Sequence, residues 1–171
     1  MARTRAHNPR PFKMEKHDHR RCVTTALDRA AKVCAAKGAR LTALRRQVLE
    51  LVWQSHRPAG AYDILAALGR KRDYVAPPTV YRALEVLRAQ GLVHRIESLN
   101  AFVGCERPGE PHCGQFLICR ACGRAAEMAD GRIEAAVRRG LAEAGFALER
   151  PTVEALGLCP DCQPPAEAGN A

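Results

Sequence analysis

Two cysteine pairs near the C-terminus carry the clearest chemistry in this sequence. Cys119 and Cys122 form the first pair, Cys159 and Cys162 form the second, and two residues separate the cysteines within each pair. One such pair can present two thiolates to a metal ion, and four thiolates complete a tetrahedral zinc site without an open position. The pattern therefore predicts a structural zinc site. A dithiol redox centre is the alternative interpretation of these pairs.

Four further residues are candidate ligands of a second ion, although they are scattered along the chain. They are His94, Cys105, His112 and Glu127. Thiolate and imidazole ligands favour zinc, because magnesium, calcium and manganese prefer oxygen. Spacing alone does not select this set, since each residue also has an ordinary structural interpretation, such as a buried small cysteine or a solvated strand glutamate. The sequence leaves open whether His17, His19, Cys22 and Cys113 bind metal.

The charge of the chain is unevenly distributed. Residues 1–100 contain 20 lysine and arginine residues against 8 aspartate and glutamate residues, whereas residues 101–171 contain 7 against 10. A basic half beside a mildly acidic half indicates that one module meets a polyanion, although many soluble proteins are also basic. No apolar run is long enough to cross a membrane, and the N-terminus lacks the apolar core of a secretory signal. We therefore expect a cytoplasmic protein.

The N-terminal part predicts several helices. Residues 1–21 are basic and lack apolar periodicity, so they are expected to form a disordered arm. Apolar residues recur at helical spacing over residues 23–37, after Thr42, and over residues 61–68. Thr42 has the side chain of a good N-cap, which predicts that the second helix begins there.

A fourth helix and a hairpin complete this part of the chain. The helix is predicted over Thr79–Gln90 and ends at Gly91, and the strands of the hairpin are predicted at Leu92–Ile96 and Ala101–Val103. Helices followed by a short hairpin indicate a winged helix-turn-helix domain, which we assign to residues 22–105. In that geometry the last helix enters the major groove of DNA.

The C-terminal part predicts a second, smaller domain. Residues 106–114 are rich in proline and glycine and predict a hinge. Residues 115–163 contain strand patterns and one helix pattern, so the predicted fold class of the whole chain is α+β. A unit of this size buries little core and needs a metal or a partner subunit. Residues 164–171 are expected to form a frayed tail.

The segment PPTVYRALEVLRAQGLVHRIESLNAFVGC, with the CRAC and CPDC pairs downstream, resembles the ferric-uptake-regulator superfamily, and its zinc-uptake-regulator branch most of all. The segment GFALERPTVEALGLCPDC adds to the resemblance. It implies a homodimeric, metal-dependent repressor that binds a palindromic operator in double-stranded DNA. It also implies that residues 115–163 form the dimerisation domain.

The resemblance further implies roles for individual residues. The four paired cysteines match the structural zinc site of the family, and His94, Cys105, His112 and Glu127 match the zinc-sensing site, which gives two zinc ions per subunit. Thr79, Tyr81 and Arg82 match the DNA-reading helix, and Arg45 is a candidate phosphate contact. The single histidine at position 112 replaces the histidine-rich stretch of iron-sensing relatives, which favours zinc. Ala43 departs from the proline that often follows Leu-Thr in the family.

These roles imply a switch in which one zinc ion joins the two domains and fixes the separation of the reading helices in a dimer. An iron or peroxide sensor of the same superfamily is the nearest alternative. A zinc enzyme is the other alternative, but the predicted sites have no open position for water, and the His-X-Glu signature of zinc deaminases is absent from the sequence.

Overall fold

The computed structural model describes residue 12 and residues 19–55, 57–70, 75–110 and 112–164. The chain divides into two units, and the second of them begins at His112. This boundary lies inside the predicted hinge. Residues 1–11, 13–18 and 165–171 lie outside the described residues, and with them most of the predicted arm, His17 and most of the predicted tail.

The described residues of the first unit form four helices and three short strands. In chain order these are α1 (His19–Ala36), α2 (Ala43–Trp53), β1 (Ala59–Gly60), α3 (Ala61–Gly69), α4 (Pro77–Ala89), β2 (Val93–Ile96) and β3 (Ala101–Gly104). The strands form an antiparallel sheet in the order β1-β3-β2, with Val93 opposite Gly104 and Ile96 opposite Ala101. The predicted winged helix-turn-helix is confirmed, and β1 is an addition to it.

Two boundaries differ from the expectation. Helix α1 begins at His19, so the prediction of a disordered arm up to Arg21 was wrong for its last three residues. Helix α4 includes both prolines in its first turn, where their missing N–H groups leave no helical hydrogen bond unmade. The predicted cap of α2 is confirmed, because Thr42 Oγ1 accepts a hydrogen bond from the Arg45 N–H at 3.4 Å.

The core of this unit fixes the orientation of α4. Val80, Leu84 and Leu87 point inward and are each 1% exposed, and they pack in one cluster with residues of α1, α2 and α3. Full burial of one such side chain stabilises a fold by about 1.5–3 kcal/mol. Rotation of α4 would expose this stripe, so the residues on its opposite face are held toward solvent.

The second unit contains three strands and one α-helix. These are β4 (Gly114–Cys119), β5 (Ala125–Met128), α5 (Gly131–Glu143) and β6 (Thr152–Gly157), followed by a short 3-10 turn over Pro160–Cys162. Strand β4 lies in the centre, antiparallel to β5 and parallel to β6. Pro151 directly precedes β6, which lies at one side of this three-stranded sheet. Among the described helices of the chain, none has the length and apolar character required to cross a membrane.

A buried glutamine fixes the start of α5. The side chain of Gln115, 2% exposed, donates from Nε2 to the Asp130 carbonyl at 2.8 Å and accepts from the Asp130 N–H at 3.1 Å. Asp130 in turn caps α5, because its Oδ1 accepts from the Arg132 N–H at 2.8 Å. Strand β4 thereby positions both the end of β5 and the first turn of α5.

The tight packing of the wing against α2 generates a prediction at Gly104. A methyl group at this position would overlap the indole ring of Trp53. We expect Gly104→Ala to destabilise the first unit by about 1–3 kcal/mol, the usual penalty for an overfilled site. The measurement is urea unfolding followed by the fluorescence of Trp53, the single tryptophan of the chain.

Gly69→Ala is the matched control for this substitution. Gly69 is the last residue of α3, and within the described part of the chain an added methyl would meet no atom closer than 4 Å. The control is expected to leave stability unchanged or to raise it. Equal stability of the two variants would contradict the role given to Gly104.

Candidate metal centres and DNA-reading helix

The four paired cysteines converge although 36 residues separate the pairs. The Sγ atoms of Cys119, Cys122, Cys159 and Cys162 all lie within 4.8 Å of one another. Cys119 ends β4 and Cys159 follows β6, and the parallel pairing of these strands sets Cys119 opposite Gly157. The sheet therefore brings both cysteine pairs to the same end of β4 and β6.

Local turns point the sulfur atoms inward. The N–H of Cys119 donates to the Arg124 carbonyl at 2.9 Å, and the Gly123 N–H donates to the Cys119 carbonyl at the same distance. Gly123 has φ of +71°, a conformation that favours glycine. The second pair closes in a similar way, with the Cys162 N–H donating to the Cys159 carbonyl at 2.9 Å.

Hydrogen-bond donors surround the sulfur atoms and favour their ionised form. The backbone N–H of Cys159 donates to Cys119 Sγ at 3.3 Å. The pKa of Cys119 is lowered to about 6. This contact is the largest cause, and the hydrogen bond from the Cys122 backbone N–H is the next. The side chain of Arg124 donates to Cys122 Sγ at 3.3 Å and to Cys159 Sγ at 3.1 Å. The guanidinium of Arg124 is the main cause of the lowered pKa of Cys122.

The fourth thiol shows the opposite effect. The pKa of Cys162 is raised to about 12, chiefly by its hydrogen bond with Cys159 and next by burial. Several thiolates this close together repel one another, so full ionisation of the group requires a positive ion among them.

The cysteine group fits a zinc ion. Zinc–sulfur bonds of about 2.3 Å in a tetrahedron place the sulfur atoms about 3.8 Å apart. Cys122 Sγ and Cys159 Sγ are 3.8 Å apart. Donors such as Arg124 and the Cys159 N–H have the role that outer-shell groups have around metal ligands.

Within the first unit, the wing brings together two of the scattered candidate ligands. His94 lies in β2 opposite Val103, and Cys105 directly follows β3. A ring nitrogen of His94 lies within 4.8 Å of Cys105 Sγ. Cys105 is 2% exposed, and its N–H donates to the Leu92 carbonyl at 3.0 Å, so its position is fixed by the backbone of the hairpin.

Within the second unit, the other two candidates are also adjacent. His112 Nε2 lies 2.9 Å from Glu127 Oε1, and their side chains are 8% and 5% exposed. His112 precedes β4, and Glu127 lies in β5 opposite Phe116. Each unit therefore holds one pair of the candidate ligands, and each pair combines side chains that zinc accepts.

The outward face of α4 carries the residues predicted to read DNA. Thr79, Tyr81 and Arg82 are exposed on it. Thr79 and Arg82 line a surface concavity of about 420 Å³ together with Arg45 at the start of α2. Arg45 is held in place by a hydrogen bond from its Nη1 to the Arg40 carbonyl at 2.6 Å. Three of the four predicted contacts thus belong to one surface.

Sequence reasoning missed two residues of these sites. Tyr62 of α3 is 73% exposed, and its ring lies edge-on to that of Tyr81, with centroids 6.4 Å apart. The helical pattern that includes Ala61 and Ile64 indicated that Tyr62 faces outward. It gave no sign that Tyr62 lies beside Tyr81. Arg124 was not among the predicted site residues. Its position two residues after the first cysteine pair was the available signal.

The other described cysteines belong to neither of the two ligand groups. Cys34 is buried in the core of the first unit, and burial raises the pKa of its thiol. Cys113 is 1% exposed, and its Sγ lies 3.6 Å from the Pro151 carbonyl oxygen, so it packs at the start of β6. Cys22 lies half-buried on α1. The side chain of His19 lies outside the described residues.

Known proteins match most of this chain. The profile of the Ferric uptake regulator family matches residues 36–156. The chain belongs to the ferric uptake regulator family. The Zinc uptake regulation protein of Escherichia coli strain K12 is 39% identical over 137 residues, which make up 80% of this chain and 80% of that protein.

Solved structures of the family agree. A zinc uptake regulator complexed with zinc and DNA superposes with a TM-score of 0.78 at 38% identity, over 82% of this chain and 94% of the other. The structure described as holo XcZur gives a TM-score of 0.74 at 38% identity, over 81% of this chain and 96% of the other. The family resemblance and the fold inferred from sequence are thereby confirmed.

The contacts of Arg124 generate a prediction about the cysteine group. In the reduced, metal-free protein, Arg124→Gln is expected to raise the pKa of Cys122, because the cation that stabilises this thiolate is lost. The folded-state pKa of Cys122 is depressed, so the thiolate signal should disappear at a higher pH in the variant than in the wild type. The measurement is the ultraviolet absorbance of thiolates as a function of pH.

Arg120→Gln is the control, because it removes the same charge from an exposed position in the same turn. It should leave the titration of the thiolates close to that of the wild type. A titration shifted equally by both variants would mean that general charge, rather than the Arg124 hydrogen bonds, sets the pKa.

Proposed function

We propose that this chain is a zinc-responsive, homodimeric transcriptional regulator that represses zinc-uptake genes by binding a palindromic operator. The observation that carries the proposal is the adjacency of His94 and Cys105 on the wing of a DNA-binding fold. The names of its relatives support it, since one is a zinc uptake regulation protein and another is described as bound to zinc and DNA.

In this proposal two zinc ions bind each subunit. The four paired cysteines hold the structural ion, which makes up for the small core of the second unit. His94, Cys105, His112 and Glu127 hold the regulatory ion. One thiolate, two imidazoles and one carboxylate form a donor set typical of zinc, and the thiolate disfavours hard cations.

The regulatory ligands come from both units, and this division gives the switch its physical basis. A bound zinc ion supplies a positively charged tetrahedral centre that needs all four ligands at once. Cys105 and His94 are fixed to the wing, whereas His112 and Glu127 are fixed to the second unit. Joint ligation restricts the first unit to the placement that suits a two-fold symmetric operator. A coupling of about 1–3 kcal/mol changes DNA affinity roughly 5- to 150-fold.

DNA is read by α4. Arg82 and Tyr81 are the principal base-edge contacts, Thr79 lies at the start of the helix, and Arg45 contacts the phosphate backbone. Arg45, Thr79 and Arg82 lie around one concavity. This position supports the assignment of base contacts to α4 and a phosphate contact to Arg45, because a phosphate can bind beside the helix that enters the groove. The excess of basic residues in residues 1–100 adds a sequence-independent attraction to DNA.

The second unit is the dimerisation domain in this proposal. Helix α5 has an apolar stripe, yet none of its thirteen residues, all of them described, is buried within the subunit. Phe146 and Leu156 are 61% and 71% exposed. Large apolar side chains exposed together mark a protein–protein interface, and a second copy of the same unit covers this surface.

The alternatives receive less support. An iron or peroxide sensor requires a harder ligand set than one that includes Cys105. The relatives are named as regulators, which agrees with the expectation that the chain is not an enzyme. Operator binding places the protein in the compartment that contains the DNA, which agrees with the expected cytoplasmic location.

Substitution of Cys105 tests the sensing site. We expect Cys105→Ser to abolish zinc-dependent operator binding while the protein remains a folded dimer, because the wing loses its thiolate ligand and the cysteine group is untouched. The measurements are fluorescence anisotropy of a labelled palindromic operator with zinc and with a chelator, and light scattering for the dimer. Full zinc response in the variant would reject the assignment.

Cys113→Ser is the matched control. Cys113 is as deeply buried as Cys105 but lies outside the proposed ligand set. It should retain both the zinc response and the metal content of the wild type, so a loss common to both variants would indicate general destabilisation.

Substitution of Arg82 tests the reading helix. Arg82→Ala should weaken operator binding by about 1–3 kcal/mol and affect random DNA much less, because a lost base contact lowers specificity. Arg88→Ala is the control on the same helix, since Arg88 lies near Glu97 on the wing, with a nitrogen–oxygen separation of 4.0 Å. Anisotropy titrations with operator and scrambled duplexes measure both affinities, and equal losses on both duplexes would point to a phosphate contact.

A further inference from the structure

A cavity in the first unit connects the surface with Cys105. Its volume is about 530 Å³, and it lies between α1, α2 and the segment that follows β3. Arg21 and Arg29 are exposed on it, whereas Leu49 and Cys105 are 1% and 2% exposed. It therefore runs from solvent into the core of the unit.

The sequence of α1 explains why this space is open. Cys22, Ala26 and Ala30 follow one another at four-residue intervals and so share one face of the helix. The two alanines have small side chains and are buried, whereas Cys22, in the same row, is half-buried. Arg29 is fixed beside the cavity by a hydrogen bond from its Nη1 to the Glu106 carbonyl at 3.3 Å.

The lining combines chemical features that suit one class of ligand. Two thiols line it, one half-buried at Cys22 and one buried at Cys105. Among the described lining residues, two carry guanidinium groups, Arg21 and Arg29, and one carries a carboxylate, Glu106. Thiols bind soft metal ions, whereas arginines repel a bare cation and attract an anion. The chemistry fits an anionic complex of zinc with a low-molecular-weight thiol that also carries carboxylates.

We propose that Cys22 is a transient ligand through which zinc reaches Cys105. This inference rests on the proposed function, in which Cys105 is a regulatory ligand. Arg21 and Arg29 draw the anionic complex to the cavity, Cys22 takes the ion from the carrier, and Cys105 takes it from Cys22. Cys22 is absent from the final ligand set and acts only on the rate of loading.

Each transfer is a ligand exchange without oxidation. The bond from zinc to the sulfur of the carrier breaks as the bond to Cys22 Sγ forms, and the proton of the Cys22 thiol passes to the departing carrier thiolate. In the second exchange Cys105 gives up its proton and Cys22 regains one.

The full-length protein, with zinc in its cysteine group and its regulatory site stripped, allows a direct test. Zinc is supplied as its glutathione complex in a stopped-flow instrument. Trp53 lines the same cavity and packs against Gly104, next to Cys105, so its fluorescence can report arrival of the ion. The anisotropy of labelled operator, followed in parallel, is the second measure of the loading rate.

We expect Cys22→Ser to slow loading about tenfold or more, with unchanged final zinc content and operator affinity. Cys22→His should restore much of the rate, because imidazole also binds zinc. Arg21→Ala should slow loading from the anionic complex. Lys32→Ala should not, because this substitution removes an equal charge from a residue of α1 that does not line the cavity.

Two outcomes overturn the proposal. Loading of Cys22→Ser at the wild-type rate would show that the relay does not exist, and a lower final zinc content would make Cys22 a resident ligand. Cys105→Ser separates this proposal from the function on which it rests. If that variant still binds the second zinc ion, the regulatory assignment fails, whereas a slow-loading defect limited to Cys22→Ser leaves the assignment intact.

Discussion

Four thiols within 4.8 Å of one another form the constraint on which the second unit depends. The backbone N–H of Cys159 and the guanidinium of Arg124 favour ionisation of some of them, while the hydrogen bond with Cys159, and next burial, raise the pKa of Cys162. Thiolates this close together also repel one another, and a divalent cation removes that repulsion. Because the cysteines stand at the ends of β4 and β6, neutralising them also holds this parallel strand pair together. Because the core of this unit is small, the proposed zinc ion would be its main support.

The first unit has a different source of order. Its helices share a continuous apolar core, in which Val48, Leu68 and Leu84 are almost completely buried. It does not require a metal to position α4. Under the proposed function, metal binding and DNA reading are therefore separable, since the cysteine group would support the second unit while His94 and Cys105 lie on an already ordered hairpin. A regulatory ion bound at that hairpin could leave without unfolding α4.

Local patterns predicted what depends on local chemistry. The inward stripe of α4, the cap at Thr42 and the strand that ends at Cys119 follow from periodicity and residue type. Strand β1 has two residues and is too short for an alternating pattern. The start of α1 was missed because its first turn is polar. The convergence of two distant cysteine pairs follows from thiolate chemistry, but the grouping of His94, Cys105, His112 and Glu127 came from family resemblance, since contacts between distant residues leave no periodic trace.

The hydrogen bonds of the wing restrict how a regulatory ion can act on α4. The Leu92 N–H donates to the Leu87 carbonyl at 2.9 Å, and the Leu92 carbonyl accepts from the Cys105 N–H at 3.0 Å. Leu92 thus connects the end of α4 to the segment that carries Cys105. Because these bonds and the core hold α4 and Cys105 in a fixed relation, ligation of Cys105 has little freedom to turn the helix within its unit. Under the proposed function, the ion would therefore act by restricting where the unit as a whole can lie, and α4 would move together with Cys105.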